Sequence, residues 1–256
     1  MPSPEPWRPT GPQWEAFLLE SITLQIVGKA TSEEDRARRT RWVEQFAAIH
    51  AAVPCAHQEP EWLIVADLIT QCKVPGPVVE LGAYQGGSTA KLSHVCADLG
   101  RPLIVCDSFQ GLPTPEPWDT THGTRFGRTK TYHAGDYAGK LEDVQRVVET
   151  FGRPDVVTYV PGWYAETLPT LDVYPAVVVE DADLAASVRT AFQYLWPKLL
   201  TGGYWLTHEA ATPKVLAFAW DSTWWHLTLG QCPPQLRGAG TGLGPEARNL
   251  GWTVKC

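Results

Sequence analysis

The sequence predicts an α/β protein: a doubly wound, mostly parallel sheet preceded by a helical N-terminal layer. Three observations predict it. Beyond about residue 76, short apolar runs alternate with helical stretches, the rhythm of βαβ units feeding a parallel sheet. The first of these runs, Pro77-Val78-Val79-Glu80-Leu81, passes straight into a glycine-rich turn that opens a helix. Before it, residues 12–75 read as three helices.

The elements follow in order. Residues 1–11 are Pro-rich and acidic and read as a flexible tail. Between Trp14 and Val27, the apolar residues Phe17, Leu18, Ile22, Leu24 and Ile26 suit a helix. Ser32 before Glu33-Glu34-Asp35 is an N-cap with an acidic first turn, opening a second helix through about Ala51. A third runs from Glu61 to Gln71. In the domain 76–256, residues 77–81 form the first strand and Ser88 to Leu99 its crossover helix. Leu103-Ile104-Val105-Cys106 is the second strand, ending on Asp107. The loop 111–137 is rich in Pro, Thr, Trp and His and too long for a plain connection, so it reads as a lid over a site. Lys140 to Phe151 is helical, Val156 to Val160 a strand, and Pro175 to Val179 a fully buried strand. Asp183 to Leu199 is helical and Gly203 to Thr207 is strand. The Gly/Pro-rich segment 231–245 leads to a last short strand, Trp252-Thr253-Val254-Lys255.

Composition narrows the partners. A chain of 256 residues suits one large domain whose apolar share builds a core without disulfides or metal staples. The net charge of −7 argues against nucleic acid, since phosphate binding needs clustered Lys and Arg. The one dense basic run, Arg36-Ala37-Arg38-Arg39-Thr40-Arg41, follows Glu33-Glu34-Asp35 and reads as a solvated helix face. The six cysteines are scattered without a C-x-x-C pair, which fits a reduced, cytoplasmic protein. No signal peptide, transit peptide or membrane-length apolar run is apparent, so no membrane partner is expected.

In an open parallel sheet, ligands sit at the carboxyl ends of the strands where strand order reverses. Gly82, Gly86 and Gly87 fall there. Glycines let the backbone turn tightly and approach a ligand, and the helix start offers free N–H groups. The spacing is neither the G-x-G-x-x-G dinucleotide pattern nor a P-loop. Glu80, just before the first glycine, suits a positively charged ligand better than a pyrophosphate. Asp107, ending the next strand, is placed to accept the hydroxyls of a ribose, as expected for an adenosine-bearing cofactor.

Glu80-Leu81-Gly82…Gly86-Gly87-Ser88 and Cys106-Asp107-Ser108-Phe109-Gln110-Gly111-Leu112-Pro113 resemble the macrocin O-methyltransferase family, metal-dependent class I methyltransferases of sugar hydroxyls in antibiotic biosynthesis. The similarity continues through Pro161-Gly162-Trp163-Tyr164, Asp181-Ala182-Asp183, Tyr194-Leu195-Trp196-Pro197-Lys198-Leu199 and Gly202-Gly203-Tyr204, covering roughly residues 75 to 210. The resemblance implies a seven-strand, Rossmann-like methyltransferase fold, S-adenosylmethionine as donor, and a divalent cation, Mg²⁺ above all. It implies a cofactor site at Glu80, Gly82, Gly86, Gly87, Ser88, Asp107 and Ser108, completed by Gly162, Trp163 and Glu180. The acceptor it implies is a small molecule, a sugar or another specialised metabolite. Related enzymes often oligomerise, so a homodimer is also expected.

Glu180, Asp181 and Asp183 cluster past one strand, His208 and Glu209 past the next. Carboxylates crowded this way repel one another, and a divalent cation relieves the repulsion. Such an ion would orient a substrate hydroxyl and lower its pKa while a base removes the proton. By resemblance, Asp181 matches the first metal-binding Asp of the family, and Asp183 its partner and general base. His208 and Glu209 fall where the family has a pair of aspartates. Three arrangements stay open: Mg²⁺ on Asp181 and Glu209 with His208 as base, a softer metal held also by His208, or no metal. His122, His133 and Asp136 read as solvated loop residues, Trp118, Trp163, Trp224 and Trp225 as core or as a flat apolar wall, His94 and His226 as structural. The competing function is a non-catalytic or metal-independent homologue that binds the cofactor or a partner protein, motivated by His208-Glu209 and by the uncharged Leu184-Ala185-Ala186.

Overall fold

The computed structural model describes residues 12–57, 59–123, 129–238 and 249–256. The expected tail 1–11, residues 124–128 of the expected lid and much of the Gly/Pro-rich 231–245 lie outside the described residues. Three helices come first: α1 (Pro12–Gly28), α2 (Glu33–Ala52) and α3 (Glu59–Gln71). Ser32 caps α2 as its sequence position demands, its hydroxyl accepting the Asp35 N–H at 3.1 Å.

Strands and helices then alternate. β1 (Val78–Leu81) leads to α4 (Gly87–Asp98), then β2 (Leu103–Asp107). After the hairpin β3 (Thr121–Gly123) and β4 (Thr129–Thr131) come α5 (Leu141–Phe151), β5 (Val157–Pro161) and the short α6 (Tyr164–Thr167). β6 (Val177–Glu180), α7 (Ala185–Leu195) and β7 (Tyr204–Thr207) follow. The chain closes with α8 (Pro213–Ala219), α9 (Ser222–Leu229), β8 (Arg237–Gly238) and β9 (Gly251–Val254).

The main sheet has seven strands in the order β5-β2-β1-β6-β7-β9-β8. β5, β2, β1, β6 and β7 are parallel, while β9 runs antiparallel to both β7 and β8. The chain winds outward from β1 through β2 to β5, then returns to place β6 on the other side of β1. The order therefore reverses between β1 and β6, where Leu81 pairs with Glu180. Alternate residues serve opposite faces, as the two-residue period of a strand requires. Val78, Val105 and Val177 face Trp42, Phe46, Trp62 and Ile69 of the N-terminal layer, whereas Val79, Cys106 and Val178 face Phe192, Trp196 and Trp225. β1 and β6 are buried along their whole length, which is why they read as uninterrupted apolar runs.

Several expectations need correction. The basic run of α2 is not simply a solvated face: Arg39 is buried, with its guanidinium 3.2 Å from Asp35 and 2.7 Å from Asp67. The helix expected from Asp183 begins at Ala185, because Asp183 has φ 58° and lies outside it, and it ends at Leu195, two residues before Pro197. The loop 111–137 contains the hairpin β3–β4. His122, read as solvated, is buried in that hairpin. Beyond Ala210, two helices form where the sequence reading saw none. Trp225 of α9 is fully buried in the aromatic cluster and is core, not a ligand wall.

Candidate active site

One cavity of about 380 Å³ opens over the carboxyl ends of β1, β2 and β6, at the point where strand order reverses. Its floor is the turn after β1. Gly82 has φ 93°, and a Cβ there would collide with the Asp181 carbonyl, so β1 and β6 can leave the sheet side by side only with glycine at this position. Gly87 is equally constrained, since a Cβ would meet Cys55 Sγ at 2.5 Å. Gly82, Gly87 and Ser88 line the cavity. Gly86 does not; it has φ 85° and packs against Val144 of α5.

Asp107 lines the cavity at the end of β2. Its Oδ2 accepts the Ala83 N–H at 2.6 Å and its Oδ1 the Phe109 N–H at 2.7 Å. Those bonds aim the carboxylate and leave each oxygen a further lone pair for a hydroxyl. Burial raises its pKa, with the Ala83 and Phe109 amides pulling the other way. Ser108, whose hydroxyl donates to the Gly111 carbonyl at 2.8 Å, lies beside it. Gly162 and Trp163 form the neighbouring wall, the Gly162 N–H holding the Asp107 carbonyl at 2.9 Å.

Glu80 and Glu180 stand beneath this surface and are not part of the cavity lining. Glu80 is 1% exposed, and burial raises its pKa to about 8 against the pull of the Ser88 and Thr89 hydroxyls. Glu180 accepts the Ala182 N–H at 3.0 Å, and burial raises its pKa to about 7.

The far side of the cavity carries Asp181, Asp183, His208 and Glu209. The Asp181 N–H bonds to the Leu81 carbonyl at 2.9 Å and the His208 N–H to the Glu180 carbonyl at 2.8 Å, so ladder bonds continued past the strand ends set both side chains at the rim. His208 Nδ1 lies 3.2 Å from Asp181 Oδ1 and its Nε2 3.0 Å from Glu61 Oε2. Burial opposes the charged imidazole, but Asp181 and Glu61 raise its pKa well above the usual range; Asp181 is lowered in turn, burial notwithstanding. Glu209, whose Oε2 accepts the Thr212 hydroxyl at 3.2 Å, is raised well above the carboxylate range by burial and then by Asp183 and Asp181. Asp183 does not cap α7. Its carboxylate takes the Tyr132 hydroxyl at 2.9 Å and the Lys130 ammonium at 3.1 Å. Burial raises its pKa, with Lys130 pulling the other way.

The cap of α7 comes instead from the loop after β2. Asp119, fully buried, accepts the Ala185 and Ala186 N–H groups at 3.1 and 3.2 Å, and His122 Nε2 lies 2.7 Å from the same carboxylate. His133 is exposed and Asp136 half-buried. His94 is half-buried and its ring lies 2.8 Å from the Phe151 carbonyl. Trp118 is 39% exposed, 4.3 Å from the Phe218 ring. Trp224 is half-buried behind the core and absent from the cavity lining. Glu61, Asp119, Lys130 and Tyr132 were not singled out from sequence; their partners lie so far along the chain that spacing carries no trace of them.

Asp181, His208 and Glu209 each offer a ligand atom within 4.8 Å of the others, so this donor set fits a divalent cation. It is the group of side chains that sequence reasoning expected to converge.

The sheet order, its antiparallel β9 and a cavity at the reversal point define the Rossmann-like methyltransferase fold. Within that class, the chain belongs to the macrocin O-methyltransferase family: the family model Macrocin-O-methyltransferase (TylF) matches residues 57–223. It is 34% identical over 143 residues to an 8-demethyl-8-(2,3-dimethoxy-alpha-L-rhamnosyl)-tetracenomycin-C 4'-O-methyltransferase of Streptomyces olivaceus, covering 54% of each chain. It is 28% identical over 145 residues to a mycinamicin III 3''-O-methyltransferase of Micromonospora griseorubida, covering 55% of this chain and 57% of the relative. The chain spans about half the length of the curated relatives it matches. Among solved structures, the O-methyltransferase NovP shares the fold at TM-score 0.59 and 20% identity, covering 94% of this chain and 99% of that one. The calicheamicin methyltransferase CalS11 does so at TM-score 0.59 and 16% identity, covering 99% of each. Among the described residues, no helix is long and apolar enough to cross a membrane.

Proposed function

We propose that the chain transfers the methyl group of S-adenosylmethionine to a hydroxyl of a small molecule, a sugar or another specialised metabolite. The observation that carries this reading is that a single cavity joins the Gly82–Ser88 turn and Asp107 to the group Asp181, Asp183, His208 and Glu209. A donor bound at one end and an acceptor bound at the other would meet without crossing solvent. The acceptors that the relatives' names give, among them a rhamnosyl sugar, support a glycosylated acceptor.

In this reading, Asp107 holds the ribose hydroxyls of the donor, with Gly82, Gly87, Ser88 and Ser108 shaping the pocket and Gly162 and Trp163 walling it. Glu80, Gly86 and Glu180 act from beneath, fixing the turn and the strand end. S-adenosylmethionine supplies an electrophilic methyl, and the chain supplies alignment and a proton acceptor. Asp183 is the base. Lys130 and Tyr132 aim its carboxylate into the cavity, and a carboxylate within reach of the acceptor hydroxyl removes the proton as oxygen attacks carbon. Asp181, His208 and Glu209 would hold a divalent cation, which when bound supplies charge that lowers the acceptor hydroxyl's pKa. The described parts of the lid-like segment, 111–123 and 129–137, contribute to the cavity wall and are pinned to α7 by Asp119, where they would shield the bound groups from water.

The test is calorimetric titration of S-adenosylhomocysteine into the wild type and Asp107→Ala, followed by methyl transfer to a panel of rhamnosylated acceptors. Removing two hydrogen bonds to a charged acceptor should weaken binding by about 100-fold. Absence of binding to the wild type at millimolar ligand would sink the proposal. Binding without turnover on any acceptor would favour the non-catalytic homologue.

A further inference from the structure

Glu61 is the residue of this site for which no role has yet been given. It comes from α3, in the N-terminal layer, and is 2% exposed. One of its oxygens lies 3.0 Å from His208 Nε2 and the other accepts the Asn249 N–H at 2.9 Å. The carboxylate is thus held from the chain segment preceding β9 while it holds the imidazole. The ring is fixed from the side as well: Trp62 meets it edge-on, centroids 5.8 Å apart, and Trp62 is itself stacked on His57 at 3.9 Å.

A carboxylate on one imidazole nitrogen decides what the other can do. With Nε2–H given to Glu61, Nδ1 points at Asp181. It shares a proton with that carboxylate, or gives up the proton and offers its lone pair to a metal ion. The spacing suits the second use. Bonds of about 2.1–2.2 Å put two adjacent ligands of an octahedral ion about 3 Å apart, and Nδ1 to Oδ1 is 3.2 Å. A site with one imidazole and two carboxylates is a poorer match for Mg²⁺, which demands oxygen, than for a first-row transition ion.

We propose that Glu61 is a positioning residue that fixes His208 as a nitrogen ligand, and that the Asp181–His208–Glu209 site thereby selects a first-row transition ion, of which Mn²⁺ is the probe, over Mg²⁺. This rests on the cation-assisted reading above, but its test reads metal binding and leaves methyl transfer aside.

Protein freed of metal with EDTA is titrated calorimetrically with MnCl₂ and with MgCl₂. The Mn²⁺-loaded form is examined by pulsed electron paramagnetic resonance for coupling to an imidazole ¹⁴N. The wild type is expected to bind one Mn²⁺ at least about ten-fold more tightly than Mg²⁺ and to show the nitrogen coupling. His208→Asp should lose the coupling and most of the preference. Glu61→Gln should weaken Mn²⁺ by about 10- to 100-fold while the affinity for S-adenosylhomocysteine, titrated without metal, is unchanged. No Mn²⁺ binding, no nitrogen coupling in the wild type, or a preference for Mn²⁺ undiminished in His208→Asp would each overturn the proposal. The coupling needs no variant, so a poorly folding Glu61→Gln leaves the answer intact. Failure of S-adenosylhomocysteine to bind marks failure of the functional reading instead.

Discussion

Asp183 sits at φ 58°, a backbone conformation in which a side chain other than glycine needs support. The support is visible: Lys130 and Tyr132 both reach its Oδ1. Asparagine keeps the shape and the hydrogen-bond acceptor but cannot take a proton. Asp183→Asn is therefore expected to lower kcat by about 10²- to 10⁴-fold with S-adenosylhomocysteine affinity intact, as rapid-quench turnover and calorimetry would show. A change confined to KM would assign Asp183 to acceptor binding instead. The positions of Asp107, Asp181, Asp183, His208 and Glu209 were legible in the sequence because each follows a short apolar run, and the end of a strand can be read one-dimensionally. Glu61 was not, since its imidazole partner is 147 residues away. Lys130 and Asp119 were hidden in the same way, bonded 53 and 66 residues along the chain.

At the scale of elements, two buried carboxylates tie loops and helices together. Asp119 caps α7 from a loop, holding the hairpin β3–β4 over the cavity. Asp119→Ala should cost about 1 kcal/mol in urea unfolding, the usual loss for an N-cap, and should raise hydrogen exchange in 121–131. Unchanged exchange there would mean that the hairpin is held by other contacts. In the N-terminal layer, Arg39 joins α2 to α3 through Asp67, with Lys29 on the same carboxylate. Arg39→Ala leaves that charge buried and short of a partner, an expected loss of about 3 kcal/mol or more, measured by the same unfolding experiment. A loss below about 1 kcal/mol would show that Lys29 and Gln71 suffice. Sequence showed where α2 starts through Ser32 and its acids, but charge order could not say that one arginine of the run turns inward. The helices α8 and α9 were missed because they are short, 7 and 8 residues, and pack on the aromatic cluster without presenting a long amphipathic stripe.

For the molecule as a whole, pH acts through acids buried beside the sheet. Glu80 is raised from an ordinary 4.5 to about 8, and Glu180 to about 7. Between pH 4.5 and 8 the folded state keeps protons that the unfolded chain has released, so stability falls as pH rises through that window. Glu80→Gln removes one such proton, and its melting temperature should drop less than that of the wild type between pH 5 and pH 8. Parallel decline in both would place the dependence on other groups. The parallel half of the sheet was legible from runs such as Val177–Glu180, buried on both faces. Of the antiparallel edge, β9 was legible as the last short strand, whereas β8 was not, because it has only two residues. That late strand, β9, has a bearing on synthesis. A ribosome delivers residues in order, so β7 emerges with its outer edge unpaired and waits for some fifty more residues before β9 can zip onto it. Through that interval Glu61 lacks the Asn249 amide, and a nascent chain carries an open, sticky sheet margin beside a half-assembled centre. Slow codons or a stalled ribosome anywhere after Thr207 would prolong the stage at which this protein most needs a chaperone.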